Sequence, residues 1–325
     1  MFTRRRFLVA TTAGLGVLGS RLHAETRNTV KRVGIVVWNR ASSDEGGPRN
    51  EFVEELRERG WVEGQNIVFE RRSFHGDRAR LPGLMAELIA IDVDVIVTQA
   101  VLATLAAKQA TDRIPIVFTV GDAIGRGVVT NVARPEGNAT GVSGRYVETM
   151  AKIVELLKLV SPGISRLAAL MNTDLGYPPN LFKEPKPRGV ETFIIQLRKP
   201  DDLVPAMAAA KRQQADSVLV CQNWGEREEF RIEIVEAIAK ARLPAVFVAR
   251  EFVELGGLLS YSDSVPSISR QVAIYVDKIL RGARPADLPV EQPMAFDLAI
   301  NLKAAKALGV TIPRELLVRA DRIVE

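Results

Sequence analysis

Short apolar runs bounded by turn signals alternate along this chain with longer stretches that carry an apolar stripe at helical spacing, the pattern of parallel strands covered by helices. Arg32-Val33-Gly34-Ile35-Val36-Val37 predicts a buried strand, and Phe52, Val53 and Leu56 before Gly60 predict the helix after it. Ile67–Arg71 predicts the next strand, and Leu81, Leu84, Met85, Leu88 and Ile89 the next helix. A strand at Val93–Thr98, a helix at Ala103–Ala110 and a strand at Ile114–Phe118 complete one β-α-β-α-β-α-β wall.

The cluster of Gly137, Gly141 and Gly144 reads as the place where the chain changes lobe, and a second series begins after it. It predicts a helix at Met150–Leu159, strands at Arg166–Met171 and Thr192–Leu197, and a helix at Leu203–Arg212. A strand at Ser217–Cys221, a helix at Phe230–Ala241 and a strand at Ala245–Ala249 follow. Ile268–Leu280 predicts a helix packed back on the first lobe, Pro289–Pro293 a return crossing, and Leu302–Leu308 with Leu316 and Leu317 the end of the second lobe. The fold class expected is therefore α/β: two Rossmann-like lobes with parallel sheets, joined by a three-crossing hinge as a clamshell. The lobes would comprise residues 30–143 plus 262–288 and residues 144–261 plus 289–325. Ligands of open parallel sheets gather beyond the carboxyl ends of the strands, so residues just after each strand should line the cleft.

The first 24 residues stand outside this pattern. Arg4, Arg5 and Arg6 precede an apolar run from Val9 to Leu18, and Ala24 precedes a cleavage point, which describes a signal peptide of the twin-arginine type. The run is about half the length of a membrane span. No cysteine lies near the cut, so a soluble periplasmic protein without a lipid anchor is expected. The segment carries Arg4, Arg5, Arg6 and Arg21 and no acid, four of the formal +5 charges, so the mature chain is close to neutral and a nucleic-acid partner loses its support. About 300 residues remain, enough for two cores. The single cysteine, Cys221, excludes an internal disulfide and reads as a buried inert thiol.

Several stretches give the chain a family likeness. They are Leu56–Ile67 (Leu-Arg-Glu-Arg-Gly-Trp-Val-Glu-Gly-Gln-Asn-Ile), Val93–Thr98, Ala106–Thr111, Ile114–Phe118, Ala133–Gly141, Arg250–Val253 and Ile300–Lys303. With these, the sequence resembles the periplasmic ABC-transporter substrate-binding proteins of the type I clamshell fold, relatives of tryptophan- and tyrosine-binding proteins and, more remotely, of branched-chain amino-acid receptors. The resemblance runs from about Lys31 to the C-terminus. It implies capture of a small amino-acid-like or aromatic solute, delivery to ABC permease and ATPase subunits, a monomeric receptor, and no chemistry on the solute. The residues agree: after the signal peptide the only histidine is His75, on a loop after the second strand, with no second histidine or cysteine to build a metal or nucleophile site. No cofactor or metal is expected. Two other readings stay open: an exported module signalling to a membrane sensor, and a periplasmic enzyme acting on a small carboxylate.

Strand ends supply the candidate ligand contacts. Trp38 and Asn39 end the first strand, where the indole either stacks on a ligand or closes the core. Thr98 and Gln99 end the third and open a helix whose free amides can hold a carboxylate. Gly121 and Asp122 follow the fourth; Asp122 either pairs with an ammonium group or caps the next segment. On the second lobe Asn223, Trp224, Arg250 and Glu251 occupy equivalent positions. Arg250 is suited to an anionic group, or else pairs with Glu251 or across the lobes. Tyr261 is either hinge wall or ligand stack, and Asp201-Asp202 reads as helix capping. The chain departs from the family at Ala100-Val101-Leu102, which replaces a Gly-Thr-Pro-like turn, and at Thr173–Pro187, where Pro178, Pro179, Pro185 and Pro187 break an expected helix.

Overall fold

Lys31–Val37 forms β1, and its near-continuous burial from Val33 onward requires cover on both faces. The structure, a computed structural model, describes residues 30–38, 50–175, 181–182, 189–221 and 228–325. After β1 come α1 (Asn50–Glu58), β2 (Ile67–Ser73), α2 (Leu81–Ala90), β3 (Val95–Gln99), α3 (Val101–Ala110), β4 (Ile116–Val120) and β5 (Ala139–Ser143). These strands make a parallel sheet in the order β2-β1-β3-β4-β5.

The chain continues through α4 (Tyr146–Val160), β6 (Arg166–Met171), β7 (Glu191–Gln196), α5 (Leu203–Arg212), β8 (Ser217–Val220), α6 (Glu228–Lys240), β9 (Ala245–Phe247), α7 (Glu251–Glu254) and β10 (Leu259–Asp263). Then follow α8 (Val265–Leu280), β11 (Phe296–Asn301), α9 (Leu302–Leu308), α10 (Arg314–Arg319) and β12 (Arg322–Val324). The second sheet has the order β12-β11-β10-β9-β8-β6-β7, parallel except where β11 runs antiparallel to β10. Each sheet is sandwiched between two apolar clusters, so both belong to the doubly covered α/β class.

Helix α8 follows a strand of the second sheet yet packs on the first, with Val272, Tyr275 and Val276 in one cluster with Val33 and Ile35. A polar clasp fixes it there. The buried Asp277 accepts from Trp61 Nε1 at 2.8 Å and from Arg281 Nε at 2.6 Å. Removing that carboxylate would take away the acceptor of the Trp61 indole N–H.

Three chain passages therefore run between the sheets, and they lie side by side. Ser143 N donates to Glu291 O at 2.8 Å, Glu291 N to Gly141 O at 3.0 Å, and Ser264 N to Ala295 O at 2.9 Å. An added Cβ on Gly144 would stand 2.9 Å from Asp263 Oδ2, so the first two passages touch.

The structure corrects the sequence reading in places. The glycine cluster that marks the change of lobe contains a further buried strand, β5. Gly141 is needed there, because at φ 152° a Cβ would meet Phe118 O at 2.1 Å. Strands β10, β11 and β12 went unread because they are short or interrupted by polar residues. Helix α4 starts at Tyr146 and helix α8 at Val265, where Pro266 suits the first turn and Ser264 Oγ accepts from Ser267 N. Of Thr173–Pro187, residues 176–180 and 183–187 lie outside the described residues; Thr173–Leu175 forms a 3₁₀ turn and Leu181 is buried in the second lobe's core.

Candidate functional site

The carboxyl ends of both sheets adjoin the passages, because β5 and β10 run directly into them. The space between the two carboxyl edges is therefore where a ligand would meet both lobes.

On the first sheet's edge the predicted residues are mostly engaged within the lobe. Trp38 packs edge-on against Phe74, with ring centroids 4.9 Å apart, and lies over Gly76, where a Cβ would approach it to 2.8 Å. Thr98 is fully buried, and its hydroxyl is 2.9 Å from that of Thr104, which also donates to Ala100 O. Gln99 is exposed at the end of β3. Beside it Ala100 takes φ 78° and ψ 150°, a region open in practice to glycine alone, which costs about 1–3 kcal/mol. This is the Ala100-Val101-Leu102 turn, where the family resemblance implies a glycine. A Cβ added on Gly121 would stand 3.3 Å from the Tyr146 ring, Gly121 O accepts from Tyr146 N, and Asp122 Oδ1 accepts from Gly125 N at 2.9 Å, closing a local turn. Asn39, Asn223 and Trp224 lie outside the described residues.

The second sheet's edge is different. A recess opens there between the ends of β9, β10 and β11 and the start of α8, lined by Arg250, Glu251, Ser262, Asp263 and Asp297 among others. The structure thus brings Arg250 and Glu251 together with three polar residues that the sequence reading missed. Arg250 pairs with Asp297 rather than Glu251, Nη1 to Oδ2 at 3.5 Å, and its side chain is 48% exposed while that of Asp297 is 18% exposed. An ion pair of this length and exposure is worth about 0–1 kcal/mol, so a ligand can compete for either partner. Tyr261 is buried and stacks on Phe296 at 5.2 Å, which places it in the core beneath the recess.

Burial raises the carboxyl pKa of Asp263 above its ordinary value, opposed by the charge of Arg145 on the first passage. Burial likewise raises that of Asp297, opposed by Arg250 and reinforced by Asp321, Glu251 and Glu254. Leu259–Asp263 alternates Leu259 and Tyr261 with Ser260 and Ser262, and Phe296–Asn301 is mostly apolar; each carries an acid at the strand end facing the cleft, the one signal that could have found them. Burial pushes the Cys221 thiol well up, and His75 is exposed in a turn at φ 50°. Asp202 Oδ2 accepts from Arg198 N at 2.8 Å, a capping contact. Among the described residues no group of three metal-ligating side chains occurs, and no helix is long and apolar enough to cross a membrane.

Two covered sheets with a polar recess where the chain passes between them define a two-lobed binding protein of the type I periplasmic class, and solved structures share the architecture. A conserved domain protein from Vibrio cholerae O1 biovar El Tor superposes with a TM-score of 0.80 at 26% identity, covering 91% of this chain and 100% of that one. The ABC domain from Streptococcus pneumoniae in complex with L-Trp superposes with a TM-score of 0.78 at 21% identity, again over 91% and 100% of the two chains. Residues 46–324 match the family described as ABC transporter substrate binding protein, and the chain belongs to that family. A curated relative, the tyrosine-binding protein of Clostridioides difficile (strain R20291), is 28% identical over 123 residues, 38% of this chain; the match spans about a third of the relative, 35% of its length.

Proposed function

We propose that the chain is the solute-binding receptor of an ABC importer, capturing a small amino-acid-like or aromatic organic solute between its lobes and delivering it to membrane permease and ATPase subunits. Membership of the substrate-binding family supports the general role. The observation that carries the reading is the charged recess at the second sheet's carboxyl edge, directly beside the three passages. Residues 30–143 with 264–288 and residues 144–263 with 289–325 act as the two lobes, β10 keeping Ser262 and Asp263 with the second sheet, and bending at the passages closes them. Solute that touches both edges favours the closed form by its differential affinity, so the permease meets the loaded receptor. Arg250 offers a guanidinium fork to an anionic solute group, and the exposed Gln99 at the end of β3 is the first edge's polar contact. Residues 1–24 direct export by the twin-arginine route and are removed, leaving a soluble monomer in the periplasm.

A thermal-shift screen of the chain from Glu25 onward, against amino acids, aromatic acids, nucleosides and short peptides, tests this reading. Solute at about 100 times its dissociation constant adds about 2.7 kcal/mol of stability and raises the melting temperature. One chemical class of hits, with a smaller radius of gyration by X-ray scattering when bound, is the expected result. Protein shown to be ligand-free that responds to none of them contradicts it.

A further inference from the structure

A passage between two bodies bends where nothing holds it to either of them. The return passage is held to the first lobe well past its entry. Leu288 O accepts from Thr140 Oγ1 at 2.8 Å, the Tyr275 hydroxyl donates to Pro289 O, and Val290 N donates to Val132 O at 2.7 Å. At Glu291 the ties converge. Its N–H donates to Gly141 O at 3.0 Å and its carbonyl accepts from Ser143 N at 2.8 Å, a parallel bridge onto β5. Its carboxylate Oε2 accepts from Gln271 Nε2 of α8 at 3.2 Å, and the same Nε2 donates to Gln292 O at 3.3 Å. One residue of the passage is therefore gripped both by the edge of the first sheet and by the helix that covers that sheet.

Beyond Gln292 the ties stop. Among the described residues no hydrogen bond holds Pro293 or Met294, and Met294 is 84% exposed. The second lobe takes hold at Phe296, which stacks on Tyr261 and pairs with Asp263. The other two passages are as short. Gly144 N donates to Val120 O of the first lobe at 2.8 Å, and two residues later Tyr146 packs against the second lobe's core. Tyr146 touches both lobes, since its N–H donates to Gly121 O at 3.1 Å and its hydroxyl donates to Cys221 O at 3.3 Å. Asp263 ends β10 and Ser264 caps α8, and Ser264 N donates to Ala295 O at 2.9 Å, tying the second passage to the third.

We infer that closure turns on a line through three short joints, residues 144–146, 263–264 and 293–295, and that Glu291 is the positioning residue that fixes the third joint by clamping the return passage to the first lobe. This rests on the solute-receptor reading and sharpens it, because the second lobe's last segment then begins to move at Pro293 rather than at Pro289. Gly121 and Tyr146 form the fulcrum. Their contact lies on the joint line, so a small displacement there is multiplied at the rim of the cleft. A Cβ on Gly121 would stand 3.3 Å from the Tyr146 ring and push the two apart by a few tenths of an ångström.

Lobe-to-lobe distances in the ligand-free protein from Glu25 onward test this. Nitroxide labels on Glu58→Cys of α1 and Lys211→Cys of α5, both exposed, report the separation by double electron–electron resonance, and the native Cys221 is buried. Glu291→Ala is expected to broaden the distance distribution, and Glu291→Gln, whose amide oxygen still accepts from Gln271, to restore the native width. Gln271→Met removes the same tie from the helix side at similar size, is expected to broaden the distribution likewise, and stands in if Glu291→Ala does not fold. Gly121→Ala is expected to shift the mean distance without broadening it. Native distributions in Glu291→Ala and Gln271→Met overturn the clamp, and an unshifted mean in Gly121→Ala overturns the fulcrum. Broadening that also appears within the first lobe, between labels on Glu58→Cys and Asp112→Cys, overturns the clamp and assigns Glu291 to the fold of that lobe. No solute enters the experiment, so each of these failures leaves the receptor reading standing.

Discussion

The two sheets are built alike at their amino ends and differ at their carboxyl ends. At the amino ends Asp94 accepts from Arg32 N just before β3, and Asp216 accepts from Ser165 N and Arg166 N just before β8, the same device in each lobe. At the carboxyl ends the first sheet's described polar groups mostly bond within their own lobe, whereas the second sheet presents acids and an arginine whose pairing is incomplete. Position after a strand locates a cleft edge, but hydrogen-bond satisfaction decides which of its residues remain available to a ligand. Changes to the internally bonded groups of the first edge, Thr98 and Asp122, should therefore act on stability and leave solute affinity alone, and changes to Arg250 on the second should do the reverse.

The largest effect is expected beside the first edge. Gly141→Ala forces a Cβ to within 2.1 Å of Phe118 O and should cost about 3 kcal/mol or more, seen as a collapse of the urea midpoint. Arg250→Ala comes next, with a loss of about 1.5–3 kcal/mol in affinity for a carboxylate-bearing solute and little in stability, read by calorimetry and melting together. Ala100→Gly releases the left-handed backbone at the first edge and, after the entropy cost of glycine, should gain about 1 kcal/mol in urea unfolding with affinity unchanged. Asp122→Ala removes the contact to Gly125 N and should cost about 1 kcal/mol in stability, again without a change in affinity.

The smallest effect concerns the amino ends. Burial alone would raise the Asp216 carboxyl, but hydrogen bonds from Arg166, Ser165 and Ser217 hold it below its ordinary value. A carboxyl lowered on folding contributes stability above its unfolded pKa of about 3.9, and that contribution fades as pH falls through the folded value. Asp216→Asn should therefore flatten the acid limb of a melting temperature against pH profile below about pH 4.

Much of the scaffold was legible in the chain. Buried parallel strands such as Val33–Val37 and Ser217–Val220 are continuous apolar runs, and the return of Ile268–Leu280 to the first lobe follows from its apolar stripe. Shorter strands were not, because β10 and β11 interleave Ser260, Ser262 and Asp297 with apolar residues and depend on each other's backbone for pairing. The same limit hid the site. Arg250 was visible as a charge after an apolar run, whereas Asp297 comes near the start of its strand and reaches the cleft edge only because β11 runs antiparallel. Asp122 satisfied the positional rule and is closed on its own turn, a distinction made by a single backbone N–H three residues away.

Calorimetric titration of the native chain, Arg250→Ala and Asp122→Ala with the tightest solute found in the screen tests the contrast between the two edges most directly. Affinity lowered about tenfold or more in Arg250→Ala and retained in Asp122→Ala is the predicted result. Affinity retained in Arg250→Ala and lost in Asp122→Ala would place the charged contact on the first edge and contradict the account.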